Sequence, residues 1–588
     1  MDEAVRWIQT NAIPLATAEA GNGFADLEPL RAAIGEARIV SLGEATHGTR
    51  EFFQLKHRLL EFCVSELGFT VFGIEASLPE SLAVNDYVLH GTGDPADGLA
   101  SMRFWTWDTE EVLTLIEWMR TWNKTHDRKV KFYGFDMQFP TVATLGLLTY
   151  LQRVAPDLAA ASEGPLAPLC ADFNADRFDF LPAGARDAAF AAIERILAAF
   201  ARERAAWVRA TGALDWDFAR LHAIVLEQSA RLRAFKREGF AIRDRAMADN
   251  IGALLDVEEP KTKIVLWAHN GHAQRAPYVG ADTVAVPNMG GRLHEIFGRD
   301  HIVVGFAFDR GSFQAIGSAG LMSHTVPPMP EGSLDAALAK AGIPIFALDL
   351  RTVPAAGPVS DWFASKPASR SIGALYDAAR ADEFLARSDP RHDFDLLMFV
   401  ETTTRARPNR TGVRSPSKQN EVSAKPVNLA LAGTAGVPDG WDTPGSTRLH
   451  AHTVALSDEP SPSGGRTVRI ARASAPWAWG EGTLSQEFST EAWQSKRLRF
   501  SAAVRVEAEG PGTGAQLFVE VSPKPQDDKL WLPSLAVATT IDRPVRSPLW
   551  ATYAVETDIP AAAHSVVIGF VVTGNGTGWF GDVTLEAV

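Results

Sequence analysis

Ala37-Arg-Ile-Val-Ser-Leu-Gly43-Glu44-Ala45-Thr46-His47-Gly48 is a short apolar run followed by a small-residue turn that carries one glutamate and one histidine. Six more runs of this kind occur in the first 400 residues: Thr70-Val-Phe-Gly-Ile, Val130-Lys-Phe-Tyr-Gly-Phe, Lys263-Ile-Val-Leu-Trp, His301-Ile-Val-Val-Gly-Phe, Pro344-Ile-Phe-Ala-Leu and Asp395-Leu-Leu-Met-Phe-Val. Most are preceded by helical patterns. Continuous apolar runs separated by helices are strands covered on both faces, so the fold class predicted is α/β, a mostly parallel sheet flanked by helices.

The residue just past each run carries the functional signal. The first run ends in Glu44 and His47, the second in Glu75, the third in Asp136, and the fourth in His269, Asn270 and His272. The later ones end in Asp309-Arg310 and Asp349. Ligands of parallel α/β sheets bind outside the carboxyl ends of the strands. One polar strand end is usually structural; ionisable groups on successive strand ends predict a functional cleft.

Between the third and fourth runs lies a helical insert, about residues 141–258. Arg186 to Ala210 places Ile193, Ile196, Leu197 and Phe200 at helical spacing, and Phe218 to Phe240 continues similarly. A packing bundle and a cap over the cleft are equally compatible with it.

The expected catalytic domain spans residues 1–403. Residues 404–426 are basic, rich in Pro, Ser and Gly, and nearly free of large apolar side chains, which reads as a linker. From 427 to 588 the pattern changes to alternating segments such as Arg466-Thr-Val-Arg-Ile-Ala-Arg, Gln516-Leu-Phe-Val-Glu-Val and Ser565-Val-Val-Ile-Gly-Phe-Val-Val. Period-two patterning between turn residues predicts an antiparallel β-sandwich, loosely like a jelly-roll, galactose-binding-like module. Trp441, Trp477, Trp479, Trp493, Trp531, Trp550 and Trp579 lie in it. Core packing explains such rings; a face that stacks carbohydrate is the sharper alternative.

Bulk properties set limits. A chain of 588 residues with 46% hydrophobic and 22% charged residues is globular and multidomain. Its net charge of −14 disfavours nucleic acid and anionic membrane surfaces as partners. The N-terminus lacks a signal-peptide pattern and no apolar stretch approaches the roughly 20 residues that span a bilayer, so a cytoplasmic location is expected. The two cysteines, Cys63 and Cys170, read as buried thiols rather than a reactive or metal-binding pair.

No Gly-x-Ser-x-Gly elbow, His-Glu-x-x-His helix, Walker loop or Cys-x-x-Cys pair occurs, which argues against covalent serine hydrolysis. What remains is histidine and carboxylate chemistry, in which imidazole takes a proton from water near neutral pH. The same residues suit a divalent metal, with His47, Glu75, His269 and His272 as ligands. Catalysis without a metal or other cofactor is the preferred reading, and the metal-dependent hydrolase stays open beside it.

The motifs Gly43-Glu-Ala-Thr-His-Gly-Thr-Arg50-Glu-Phe-Phe, Phe72-Gly-Ile-Glu75-Ala, Tyr133-Gly-Phe-Asp136-Met-Gln138, Arg243-Asp-Arg-Ala-Met247-Ala-Asp-Asn250, Trp267-Ala-His-Asn-Gly-His272 and Met289-Gly290 occur in that order. Together with Trp105-Thr-Trp107 they resemble the erythromycin esterase family over roughly residues 1–400. The resemblance implies hydrolysis of a macrolide lactone, or another small-molecule ester, by activated water without an acyl-enzyme. It further implies His47 as the general base, Glu75 as its acidic partner, and Arg243 with His269 as the pair that positions the ester and stabilises charge. Glu44, Arg50, Asp136, His272, Trp107 and Met289 are expected to bind substrate or support these groups. The resemblance stops short of the C-terminal module. A glycan-associated protein acting on acyl substituents of polysaccharide is the alternative function.

Overall fold

The computed structural model describes residues 2–588 except 171–174, 236–237, 280–284, 318–319, 410–422, 435, 444–451, 473–480, 525–533 and 542. The chain forms two compact units. One comprises Met1–Met137 and Glu238–Pro416; the other comprises Gln138–Arg237 and Ser417–Val588.

The first unit is built on a nine-stranded sheet. Its strands are β1 (Ile13–Pro14), β2 (Ile39–Leu42), β3 (Val71–Ser77), β4 (Lys131–Asp136), β5 (Ile264–Trp267), β6 (His301–Gly317), β7 (Gly320–Val326), β8 (Ile345–Asp349) and β9 (Leu396–Thr403). The spatial order is β1-β8-β9-β6-β2-β5-β3-β4, with β7 paired to β6. From β9 to β4 every neighbouring pair on this path is parallel. The antiparallel exceptions are β8 against β1 and β9, and the β6–β7 hairpin. All seven apolar runs are strands of this one sheet. The run at His301 continues well past Phe306, because its hairpin partner supplies backbone hydrogen bonds that the apolar pattern does not encode.

The core strands are buried on both faces, β2 and β5 at every position. Helix α1 (Arg50–Leu67) follows β2 and presses Phe52, Phe53, Leu59, Leu60 and Phe62 into the sheet. Residues 404–409, at the start of the expected linker, run along this unit: Ala406 N–H donates to Gly48 O at 2.9 Å and Asn409 N–H to Asp108 O at 3.1 Å. Residues 410–422 of that linker lie outside the described residues.

The second unit holds the insert helices, α2 (Thr141–Val154), α3 (Pro156–Leu166), α4 (Ala183–Thr211) and α5 (Ala213–Ala234), together with the C-terminal β-region. The last part of the expected insert, α6 (Gly239–Val257), belongs to the first unit. The β-region is antiparallel throughout its named strands: β10 (His452–Ser457), β11 (Thr467–Arg472), β12 (Glu481–Ser489), β13 (Arg497–Pro523), β14 (Ala536–Thr539), β15 (Ala551–Asp558) and β16 (Ala563–Ala587). Strands β13 and β16 pair along most of their length and shift register between Glu509 and Gly514. Both cysteines are free and buried, and burial pushes each thiol up to about 12, as expected for inert groups. Among the described residues, no helix is long and apolar enough to cross a membrane.

Three tryptophans of the β-region serve its packing. Trp441 is buried, stacks on Phe570 with ring centroids 5.4 Å apart, and donates to Asn428 O at 3.2 Å. Trp493 packs against Phe488, and Trp579 lies under the Arg505 guanidinium at 3.9 Å. Trp550 is half-buried, while Trp477, Trp479 and Trp531 lie outside the described residues. Replacing Trp441 by Ala is expected to cost roughly 3–5 kcal/mol in the unfolding of the C-terminal region, read by calorimetry or urea titration. A loss below about 1 kcal/mol would mean that the ring is a surface group instead.

Candidate active site

Parallel neighbours bring their carboxyl ends to one sheet edge, so the order β2-β5-β3-β4 sets Glu44 and His47, then His269 and His272, then Glu75, then Asp136 in a row. Backbone hydrogen bonding continues past the strands and fixes their turns: Ala268 N–H donates to Leu42 O at 3.1 Å and Asn270 N–H to Glu44 O at 2.9 Å. The glycines are demanded by close approach. A Cβ on Gly48 would collide with the backbone of Gln314, and one on Gly290 with the carbonyl of Ala273.

Glu44 is fully buried and makes three charge-assisted or polar contacts. Oε1 faces His47 Nδ1 at 2.6 Å, while Oε2 accepts from Lys56 Nζ at 2.6 Å and Trp267 Nε1 at 2.8 Å. An ionised carboxylate only accepts, so the His47 proton sits on Nδ1 and its Nε2 presents a lone pair. Lys56 is also fully buried, with its ammonium 4.3 Å from the centroid of the Trp267 ring. Burial holds the Lys56 ammonium below the ordinary lysine range, opposed by the attraction of Glu44.

The His269 ring lies 5.0 Å from that of His47, centroid to centroid. Its Nδ1 accepts from Gly271 N–H at 3.1 Å, as the cap of a short helical turn. A backbone N–H only donates, so the proton of neutral His269 sits on Nε2, which is buried and has no hydrogen-bond partner among the described residues. Burial, with His47 and His272 nearby, holds His269 well below its ordinary value, so the ring is neutral.

Glu75 braces the other side. Oε1 accepts from Arg243 Nη2 at 2.6 Å and Oε2 from His269 N–H at 2.9 Å. Burial alone would raise its carboxyl, but His272, Arg243 and His47 outweigh it and hold Glu75 well below the carboxylate range. Asp136 receives Arg243 Nε at 3.1 Å and Nη2 at 2.7 Å. His272 sits between Asp244, 2.9 Å from Nδ1, and Arg243 Nη1, 3.1 Å from Nε2. Burial would lower the His272 imidazole, yet the Asp244 and Glu75 carboxylates raise it above its ordinary value. Asp244 also accepts from Met289 N–H at 2.9 Å, so Met289 is a buried anchor of this network through its backbone. Trp107 stands edge-on to His47 with centroids 5.9 Å apart and donates to Glu75 O at 3.0 Å.

Nine of the ten sequence-predicted residues therefore gather in one network: His47, Glu75, Arg243, His269, Glu44, Asp136, His272, Trp107 and Met289. The tenth, Arg50, has its guanidinium 3.4 Å from Glu111. Lys56, Trp267 and Asp244 complete the network. Lys56 had a readable signal, since it lies on the apolar stripe of α1 set by Phe52, Phe53, Leu59 and Leu60, where a lysine must find a buried partner. Among the described residues, no group of three or more His, Cys, Asp and Glu is arranged to hold a metal ion.

The erythromycin esterase family model matches residues 64–403, a span that reaches Glu75, Asp136, Arg243, His269 and His272 and begins after His47. Erythromycin esterase type II of Escherichia coli is 26% identical over 342 residues, 53% of this chain and 78% of that protein. A solved protein structure from Bacillus cereus is similar with a TM-score of 0.63 at 22% identity, over 70% of this chain and 99% of that one. An erythromycin esterase mutant in its open conformation gives a TM-score of 0.52 at 17% identity, over 65% of this chain and 94% of that one.

Two outcomes follow from the buried charges. Lys56→Met strands the Glu44 carboxylate and should cost about 3–5 kcal/mol in denaturant unfolding; a cost under about 1 kcal/mol would show that Glu44 does not need the ammonium. Glu75 has a folded value below its unfolded one, so its stabilisation is complete above the ordinary carboxylate value and fades as the pH falls below about 5. The acid limb of the stability curve should accordingly be shallower in Glu75→Gln than in the native chain, and parallel limbs would contradict this assignment.

Proposed function

The chain belongs to the erythromycin esterase family, and we propose that within it the chain hydrolyses the ester bond of a macrolide-type lactone in the cytoplasm with water that His47 activates, without a covalent acyl-enzyme. The observation that carries this reading is the pair of opposite tautomers that the neighbouring groups favour: His47 offers a lone pair on Nε2, and His269, its ring 5.0 Å away, offers an N–H without a partner among the described residues. A base and an oxyanion donor are the two groups that addition of water to an ester requires.

In this mechanism His47 Nε2 takes a proton from water as the water oxygen bonds to the carbonyl carbon. The carbonyl oxygen becomes an oxyanion, which His269 Nε2–H stabilises. Collapse breaks the bond to the alkoxy oxygen, and His47 returns its proton to that leaving group, giving an acid and an alcohol. Glu44 stabilises the imidazolium that forms in between, and the Lys56 ammonium pairs with its other oxygen. Arg243 donates through Nε and Nη2 to Asp136 and Glu75, so its part is to hold Glu75 and, through it, the backbone of His269. Metal-free chemistry is supported by the same commitments, because both Glu75 oxygens already serve protein donors.

His47→Ala is expected to lower turnover at least about 10²-fold while substrate still binds. The assay is incubation with 14-membered macrolides and simple lactones and esters, read by mass spectrometry as the gain of one water. In ¹⁸O-water one label should enter the acid product, with no acylated protein detected in rapid quench. Unchanged turnover of His47→Ala, or a trapped acyl-protein, would overturn the mechanism. Full activity after exhaustive chelation is expected, and activity restored only by added divalent metal would favour the metal-dependent alternative.

A further inference from the structure

In the β-region the two halves of β13 have different surroundings. In the first half burial alternates: Leu498, Phe500, Val504 and Val506 enter the core, while Arg497, Arg499 and Glu507 are exposed. That is the pattern of a sheet with one dry and one wet face. In the second half Ala515, Leu517, Val519 and Val521 enter the core, yet the residues between them are dry too, Gln516 and Phe518 each only 1% exposed. The paired half of β16 agrees, with Val571 0% exposed on the same outward side. Something covers this half of the outer face.

The cover belongs to the same compact unit: the insert. Arg177, ahead of α4, forms an ion pair with Glu520 and lies 5.7 Å over the Phe518 ring. Arg546 Nη1 donates to Glu163 of α3 at 3.2 Å. Gly512, with φ +70, lies so close to Leu145 of α2 and to Cys170 that a Cβ there would press on both. Apolar contact, a charge-assisted pair and a backbone close approach thus recur on three parts of the insert.

We infer that the outer face of β13 and β16 is a docking surface for the chain's own insert helices, and that the C-terminal β-region is the brace on which helices α2 to α5 depend for their order. The outward Gln516, Phe518 and Glu520 are interface residues, and this half of the face is closed to an external polymer. An alternating strand needs only one apolar side to reach its own core; an aromatic and a pairing carboxylate on the other side are what a packed helical partner requires.

The test is hydrogen–deuterium exchange on the full chain with Arg177→Glu, Glu520→Arg and the double exchange of charges. Each single variant places like charges at a half-buried contact, so peptides from 141–166 and 183–234 should exchange about tenfold or more faster, while peptides from β2 to β9 keep their native rates. The double variant should restore protection. Insert peptides at native rates in both single variants would overturn the proposal, as would a uniform loss of protection across both units that the double variant does not reverse.

Discussion

A carboxylate taken out of water is tolerable only when its charge and lone pairs are met, and the active edge of this protein is organised around one such group, Glu44. Its neighbours are drawn from three elements: His47 from the turn after β2, Lys56 from α1 and Trp267 from the end of β5. Removing any of them leaves a buried charge short of a partner. Because Glu44 accepts at His47 Nδ1, the same constraint that makes it costly also sets the tautomer that leaves His47 Nε2 available. Stability and chemistry here rest on one set of hydrogen bonds.

The second half of the network repeats the logic with more charge. Glu75, Asp136 and Asp244 surround Arg243 and His272. A single guanidinium cannot balance three carboxylates, which is why His272 is driven toward its protonated form while His269, buried and then facing other imidazoles, is driven away from it. Imidazoles separated by three positions in sequence thereby acquire opposite electrostatic characters. The separation suits a site that needs one neutral N–H donor beside a base.

The C-terminal region shows how far patterning carries. Its alternation announces strands, and the strands are there. Seven tryptophans invite a carbohydrate-stacking reading, but Trp441, Trp493 and Trp579 are occupied with packing and cation contact inside the region. Within the alternating segment Gln516-Leu-Phe-Val-Glu-Val, the outward Phe518 is buried and lies beneath Arg177 of the insert, a contact that the alternation itself does not encode.

The apolar runs that became the sheet were legible because a strand buried on both faces can hold little but apolar residues, and its polar ends stand out by contrast. For the same reason Glu44, His47, Glu75, Asp136, His269 and His272 could be read from one dimension: each lies within a few residues of where a run stops. The parallel order β2-β5-β3-β4, the aim of each side chain and the pairing of Arg50 with Glu111 were not so written, since they depend on which strands neighbour which and on the rotation of α1. Lys56 and Asp244 belong to helices whose approach is set by packing, and Lys56 was visible only as a charge misplaced on an apolar stripe. The sequence by itself determined which residues could do chemistry and at which edge they would stand. The tertiary structure alone decided their partners, and with the partners the tautomers and charges, because a buried group's proton is placed by whatever donor or acceptor the fold brings within about 3 Å of it.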